Sequence, residues 1–121
     1  LGDVYKRQGV KFIQDDLRNI EQIDQLNDLK NKFNLVISDL APNLTGISSI
    51  DEENVFELNL LTLEGAIRFL ESNGIFIVKT FQNSNLKKFR KEMEKNLKIV
   101  QTAKPAASKK QSKEIYLYGI K

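Results

Sequence analysis

Three apolar, strand-like runs in the sequence each end on a charged residue. The charged residues are Asp15 and Asp16 after KFIQ, Asp39 after NLVIS, and Lys79 after GIFIV. Because ligands of open parallel sheets bind beyond the carboxyl ends of the strands, these side chains are candidates for one site. A charge that ends a strand and stays in water is the plainer interpretation of each residue alone. The agreement of three strand ends favours a shared site.

Lys79 and Asp39 have side chains suited to handling a proton. A lysine after five apolar residues can be partly desolvated, which lowers its pKa, whereas a neighbouring carboxylate holds the proton and orients the amine. Pro42 restricts the loop after Asp39, because the residue before a proline is driven to extended geometry. Histidine and cysteine are absent, so catalysis must use carboxylates, lysines, tyrosines or hydroxyls.

The charge is distributed unevenly along the 121 residues. Residues 1–86 carry 8 Lys+Arg and 13 Asp+Glu, whereas residues 87–121 carry 11 and 3. A basic C-terminal part indicates a polyanionic partner, although a solvated lysine-rich surface has the same composition. Glu114 is the lone acid between residues 95 and 117, which fits either a local ion pair or a functional acid. The predicted phosphate-binding residues are Lys104, Ser108, Lys109, Lys110, Ser112 and Lys113.

Hydrophobic periodicity predicts one α/β domain from Gly9 onward, preceded by a leader at 1–8 that has no periodicity and resembles a processing or assembly artefact. We expect strands at 9–14, 34–38, 74–81, 97–102 and 114–120, and helices at 15–33, 49–73 and 86–97. Such alternation is typical of a mostly parallel sheet, and the last strand is expected to be antiparallel because no helix precedes it. No run approaches the roughly 18 apolar residues of a membrane span, and we expect a cytoplasmic protein.

Three details of these elements can be tested against a structure. Ile20, Ile23, Leu26 and Leu29 recur near helical spacing. Ser49 and Glu52 fit a capping box at the start of the second helix, and Asn73-Gly74 fits its end. The strand GIFIVKTF lacks polar alternation, which predicts that both of its faces are covered.

Four segments together resemble the FtsJ/RlmE-type ribosomal RNA 2′-O-methyltransferases. They are GVKFIQDDL, SDLAPNLTG, IFIVKTFQ and KPAASKKQSKEIYLY, and they stand where that family reads GVxFLQGDF, SDMAPNMSG, FVVKVFQG and KPxxSRxxSxExYLV. The resemblance runs from Gly9 to the C-terminus with the family's order and spacing. It implies a Rossmann-like methyltransferase sheet that uses S-adenosylmethionine.

The resemblance also implies roles for individual residues. The family's catalytic aspartate, lysine and glutamate fall on Asp39, Lys79 and Glu114, and its cofactor-binding acid falls on Asp16, with Asp39 also near the cofactor. The implied reaction transfers a methyl group to a ribose 2′-oxygen, with a uridine of large-subunit ribosomal RNA or the large ribosomal subunit as the expected substrate. No metal and no membrane partner are expected, and the full-length protein is expected to be monomeric.

The sequence departs from the family pattern in two respects. The family's glycine-rich cofactor loop and its second catalytic lysine lie upstream of the matching segments, so we expect an N-terminally truncated sheet in residues 9–121 that is inactive alone. Asp15 and Asn83 stand where the family has glycine. Three alternatives remain open: an RNA-binding module without catalysis, a tRNA-directed relative, and an amino-methyltransferase, whose D/N-P-P-aromatic turn this chain lacks.

Overall fold

The computed structural model describes residues 17–39, 44–104 and 113–121. The predicted strand at 9–14, together with Asp15 and Asp16, lies outside the described residues. In chain order the elements are two 3₁₀ helices, Leu17–Gln22 and Asp24–Leu29, then β1 Phe33–Ser38, α1 Ser48–Phe69, β2 Leu70–Phe81, α2 Leu86–Asn96, β3 Lys98–Ala103 and β4 Glu114–Ile120. None of the helices in these ranges combines the length and apolar character that a bilayer span requires.

The four strands form one sheet in the order β1-β2-β4-β3. β1 pairs with β2 in parallel, whereas β4 is antiparallel to both β2 and β3. Three of the four strands therefore point the same way and the last strand points the opposite way, which confirms the predicted α/β class with an antiparallel last strand. The insertion of β4 between β2 and β3 is not evident from the sequence.

One face of the sheet carries the core. Phe76 and Val78 of β2 and Leu117 of β4 are fully buried, and they pack with Phe89 and Met93 of α2. Each large apolar side chain buried in this way contributes roughly 1.5–3 kcal/mol. The predicted third helix is confirmed, because its apolar residues at spacings of three and four face this core.

Within the described residues, the opposite face of the sheet is exposed or half-buried, so the prediction that both faces of β2 are covered is not confirmed. Leu35 and Ile37 of β1 are 44% and 64% exposed, and Ile75 of β2 is 40% exposed. A run of apolar residues without alternation is typical of a strand buried on both sides. The pattern shows that the residues are hydrophobic, but it does not show which of them are covered in the fold. The structure buries every second residue of the run, as in a sheet with one open face.

The segment after residue 16 differs from the prediction in helix type. Instead of one long amphipathic helix it forms two 3₁₀ helices separated at Ile23, whose backbone is extended. Four of its apolar residues, Ile20, Ile23, Leu26 and Leu29, follow one another at a constant spacing of three and are all half-buried. Because a 3₁₀ helix has three residues per turn, that constant spacing fits it better than it fits an α-helix.

Both predicted ends of α1 need correction. The helix begins at Ser48 and Ile47 makes no side-chain cap, so Ser49 and Glu52 do not form a capping box. It ends at Phe69, four residues before Asn73-Gly74. Asn73 takes the left-handed backbone conformation (φ 68°) that was expected of a helix end. Gly74 is needed because a Cβ there would lie 2.9 Å from the carbonyl oxygen of Glu71.

A bulge in the edge strand β3 places an isoleucine in a strained conformation. The register with β4 shifts between Lys98 and Gln101, and Ile99 has φ 51° while 64% of the residue is exposed. A β-branched residue in the left-handed region is a true outlier. The bulge twists this edge, which disfavours pairing with another chain.

We expect Ile99→Asn to stabilise the protein by up to about 1 kcal/mol, because asparagine tolerates the left-handed region and little buried area is lost. Urea unfolding followed by circular dichroism measures the change. Ile75→Asn is the matched control, since Ile75 is also exposed on a strand but has no positive φ; it should not stabilise. Equal changes in unfolding free energy for the two substitutions would contradict backbone strain at Ile99.

Candidate functional site

The carboxyl ends of β1, β2 and β3 lie at one edge of the sheet, where β4 begins. Lys79 of β2 pairs with Tyr116 of β4, which pairs in turn with Ala103 of β3. Asp39 directly follows β1, and Glu114 is the first residue of β4. The topology therefore brings three residues that are far apart in sequence to one end of the sheet.

The ammonium group of Lys79 lies between two carboxylates. Its Nζ is 2.7 Å from Oδ1 of Asp39 and 3.8 Å from Oε1 of Glu114. The lysine side chain is 21% exposed, whereas those of Asp39 and Glu114 are 65% and 46% exposed. The two acids thus remain open to solvent while the cation between them is largely covered.

Strand register explains why these side chains meet. Ser38 of β1 pairs with Val78, so the next residue, Asp39, reaches the level of Lys79. On the other side Glu114 pairs with Phe81, two residues beyond Lys79. Residues two apart on a strand share a face, so Glu114 is the diagonal neighbour of Lys79.

The hydrogen bond from Asp39 raises the pKa of Lys79 above the ordinary value of 10.5. Desolvation acts in the opposite direction, and the charges of Asp39, Glu114 and Tyr116 reinforce the upward shift. Lys79 is therefore an ammonium at neutral pH. Of the two opposing effects expected from the sequence, the neighbouring carboxylate therefore outweighs desolvation, and the group can donate hydrogen bonds and supply positive charge.

Two buried polar contacts fix the strand ends to α1. The side-chain amide of Asn59 donates to the hydroxyl of Thr80 at 2.7 Å, next to Lys79. The hydroxyl of Ser38, next to Asp39, makes a longer 3.4 Å contact with the hydroxyl of Thr62. Since breaking a buried hydrogen bond leaves a polar group unsatisfied, these contacts limit how far the strand ends can shift against α1.

Asp51, in the first turn of α1, holds the loop that leads into the helix. Its carboxylate accepts hydrogen bonds from the backbone N–H and the hydroxyl of Thr45 at 2.7 and 2.8 Å, and from the N–H of Gly46 at 3.1 Å. These bonds, with the backbone N–H of Thr45 first, lower the pKa of Asp51. Asp51 is not among the residues predicted from the sequence, although an acid near a helix start is a general signal.

Tyr116 is a second residue that the sequence analysis missed. It lies on β4 opposite Lys79 and is half-buried on the same face of the sheet. A period of two counted from Glu114 would have placed it beside the lysine.

The predicted RNA-binding residues are partly described. Lys104 follows β3, Lys113 precedes β4, and both are exposed at the carboxyl edge that holds Lys79. The backbone carbonyl of Lys113 accepts a hydrogen bond from the N–H of Gln82 at 2.7 Å, which fixes the return of the chain into β4. The remaining members of the set, Ser108, Lys109, Lys110 and Ser112, lie outside the described residues, as does the predicted cofactor acid Asp16.

Comparison with known proteins gives this arrangement a family. Residues 1–121 match the model of the FtsJ-like methyltransferases. The chain belongs to the FtsJ-like methyltransferase family. Among curated relatives, each named ribosomal RNA large subunit methyltransferase E, the chain is 44% identical over 114 residues to that of Chromobacterium violaceum and 40% identical over 117 residues to that of Bdellovibrio bacteriovorus.

These matches cover 92% and 95% of the chain but 55% and 60% of the relatives, so the chain spans little more than half of their length. A solved structure of a Plasmodium falciparum protein described as a ribosomal RNA methyltransferase superposes with a TM-score of 0.77. That match is 24% identical and covers 95% of this chain and 65% of the other. It shows a shared Rossmann-like methyltransferase fold.

The protonation of this FtsJ-like site can be measured directly. In an NMR titration of the Lys79 side chain we expect a pKa above 10.5, so the stabilising ion pairs persist at neutral pH and are lost only as pH rises through that value. Asp39→Asn removes the charged hydrogen-bond partner that contributes most to the raised pKa of Lys79, so it should lower that pKa. Glu64→Gln, an exposed acid on α1, should leave it unchanged. A pKa that does not respond to Asp39→Asn would contradict the assignment.

Proposed function

We propose that the protein takes part in S-adenosylmethionine-dependent 2′-O-methylation of a ribose, in a uridine of large-subunit ribosomal RNA, in the cytoplasm. The observation that carries the proposal is the Lys79 ammonium held between Asp39 and Glu114 at the carboxyl edge of the sheet. Family membership and relatives named for large-subunit ribosomal RNA support the class of reaction and substrate.

Lys79 and its two acids have complementary tasks in this proposal. Lys79 would donate an N–H to one lone pair of the ribose 2′-oxygen and leave the other for the methyl group that the cofactor would release from its sulfonium. The hydroxyl proton would pass to a carboxylate of Asp39 or Glu114, both exposed. Since the pKa of Lys79 is raised, the lysine orients the oxygen and stabilises the negative charge that develops on it.

Asp39 is suited to contact the methyl donor as well. Its carboxylate is 65% exposed at the carboxyl end of β1, where a bound ligand can reach it. When bound, S-adenosylmethionine supplies a methyl group already activated on a sulfonium. The contribution of this chain is therefore mainly to position the acceptor oxygen and to prevent it from taking unproductive orientations relative to the methyl donor.

The arrangement argues against an amino-methyltransferase. Such an enzyme clamps an exocyclic amine, and a cation held by two acids has no evident task in that chemistry. An RNA-binding module without catalysis accounts for the basic residues near the site, but it gives no reason for a lysine held between two exposed acids.

Replacing Lys79 tests the proposed catalysis. In the whole protein, Lys79→Met should reduce methyl transfer from radiolabelled S-adenosylmethionine to ribosomal RNA by at least about 100-fold, while cofactor binding measured by calorimetry is unchanged. Lys98→Met is the control, because Lys98 lies on β3 at the opposite end of the sheet. Transfer that survives in Lys79→Met would remove the lysine from the mechanism.

The basic segment between β3 and β4 should contribute the salt-dependent part of RNA binding. Replacing Lys109 and Lys110 by glutamine should reduce the slope of log K against log salt by about 1–2, since each phosphate contact adds roughly 0.7–0.9. Fluorescence anisotropy with a labelled ribosomal RNA fragment measures it. Replacing Lys30 and Lys32 by glutamine is the matched control. Both lysines are exposed before β1, and their replacement should leave the slope unchanged. Equal slopes in both double variants would exclude this segment as the phosphate contact.

A further inference from the structure

A groove of about 380 Å³ lies beside the Lys79 site, at the end of β2. Its walls are the loop before α1, the first turns of α1, the segment after β2, and Lys113. Phe81, which lines it, is two residues beyond Lys79 and pairs with Glu114. Because two residues of a strand span about 7 Å, the backbone at Phe81 lies about that far from the backbone at Lys79.

The groove has an apolar surface and a few polar groups. Leu44, Val55 and Phe81 provide the apolar part, and Gln82 provides an amide. Within the described part of the chain, the side chain of Gln82 makes no hydrogen bond, so its donor and acceptor can serve a ligand. The volume is at the lower end of the roughly 300–1,000 Å³ of small-molecule sites, which suits one nucleoside better than a larger ligand.

The charges around the groove disfavour a phosphate. Among the described residues that line it, Asp51 and Glu52 are acids and Lys113 is the one cation. The hydrogen bonds from Thr45 and Gly46 keep Asp51 ionised, since its pKa is lowered. An uncharged ring is therefore a better occupant than a phosphate or a second anionic group.

Both walls are held in place before any ligand arrives. Asp51 binds the loop at Thr45 and Gly46, and the neighbouring Glu52 accepts a 2.6 Å hydrogen bond from the hydroxyl of Ser84 in the segment after β2. The two consecutive acids thus fix opposite sides of the groove to the same turn of α1. Preorganisation of this kind reduces the entropy lost on binding.

We propose that this groove binds the unstacked nucleobase of the nucleotide whose ribose 2′-oxygen is presented to Lys79, with the ring packed on Phe81. The inference rests on the proposed function and adds a base-binding site to it. The base and the 2′-oxygen are attached to adjacent ribose carbons, so a base in the groove leaves the oxygen beside the ammonium. RNA-binding proteins commonly hold splayed-out bases on aromatic side chains in this way.

Chemical-shift mapping of the chain tests the base groove. Uridine 5′-monophosphate should shift the backbone amides of Gly46, Gln82 and Asn83, whereas ribose 5-phosphate at the same concentration should not. Phe81→Ala should weaken uridine monophosphate binding roughly tenfold. Tyr118→Ala is the matched control, because Tyr118 is an exposed aromatic residue on β4 that does not line the groove. Gln82→Ala, a change at an exposed residue, should also weaken binding and serves if Phe81→Ala unfolds the chain.

Three results would overturn the inference. They are the absence of shifts at the groove, equal shifts with ribose 5-phosphate, and displacement of uridine monophosphate by S-adenosylhomocysteine from the same amides, which would assign the groove to the methyl donor. Lys79→Met separates this inference from the proposed function, because in the whole protein it should reduce methyl transfer by at least about 100-fold while uridine monophosphate still shifts the amides of the groove. If transfer depends on Lys79 but the groove binds no base, only the inference fails.

Discussion

The candidate site depends on the position of β4 in the sheet. Because β4 lies between β2 and β3 and runs antiparallel to both, its first residue reaches the edge at which the parallel strands end. This places Glu114 at the lysine of β2, opposite the aspartate that follows β1. Were β4 parallel, its first residue would lie at the far end of the sheet and the cation would have one acid fewer. The same reversal of direction brings Lys113 to the site, whereas Lys104 reaches this edge at the carboxyl end of β3.

Helix α1 turns this strand arrangement into a defined geometry. Towards its middle, Asn59 and Thr62 make hydrogen bonds to the strand residues that adjoin the two principal site residues. Near its start, Asp51 and Glu52 hold the loops on either side of the groove. A helix packed on a sheet by apolar contacts alone could slide with little change in energy, whereas directional bonds to both strand ends resist such movement. The helix therefore positions the site as well as covering the core.

Periodicity and strand-end reasoning predict much of this structure. The antiparallel last strand, helix α2 and the candidate residues Asp39 and Lys79 follow from patterns in which local preference and tertiary packing agree. Glu114 is a candidate only because it is the lone acid of a basic stretch and matches the family's glutamate. Predictions failed where tertiary contacts outweigh local signals. The S-x-x-E pattern at Ser49 does not cap a helix because Glu52 instead accepts from Ser84, 32 residues away. The order of the strands, and with it the partner of Tyr116, depends on pairing between distant segments that no local window contains.

The exposure of the two acids bears on how the site works. Ion pairs in contact with water contribute little, because solvent screens them and competes for their hydrogen bonds. Asp39 and Glu114 are 65% and 46% exposed. Their electrostatic attraction to the Lys79 ammonium is therefore weaker in the open site than in a site from which a ligand has excluded water. In the proposed reaction, a ribose that enters between the acids would displace that water and meet a lysine whose charge is already fixed in position. The electrostatic contribution to catalysis would then increase as the acceptor binds, and a base held in the neighbouring groove would bring the acceptor there in one orientation.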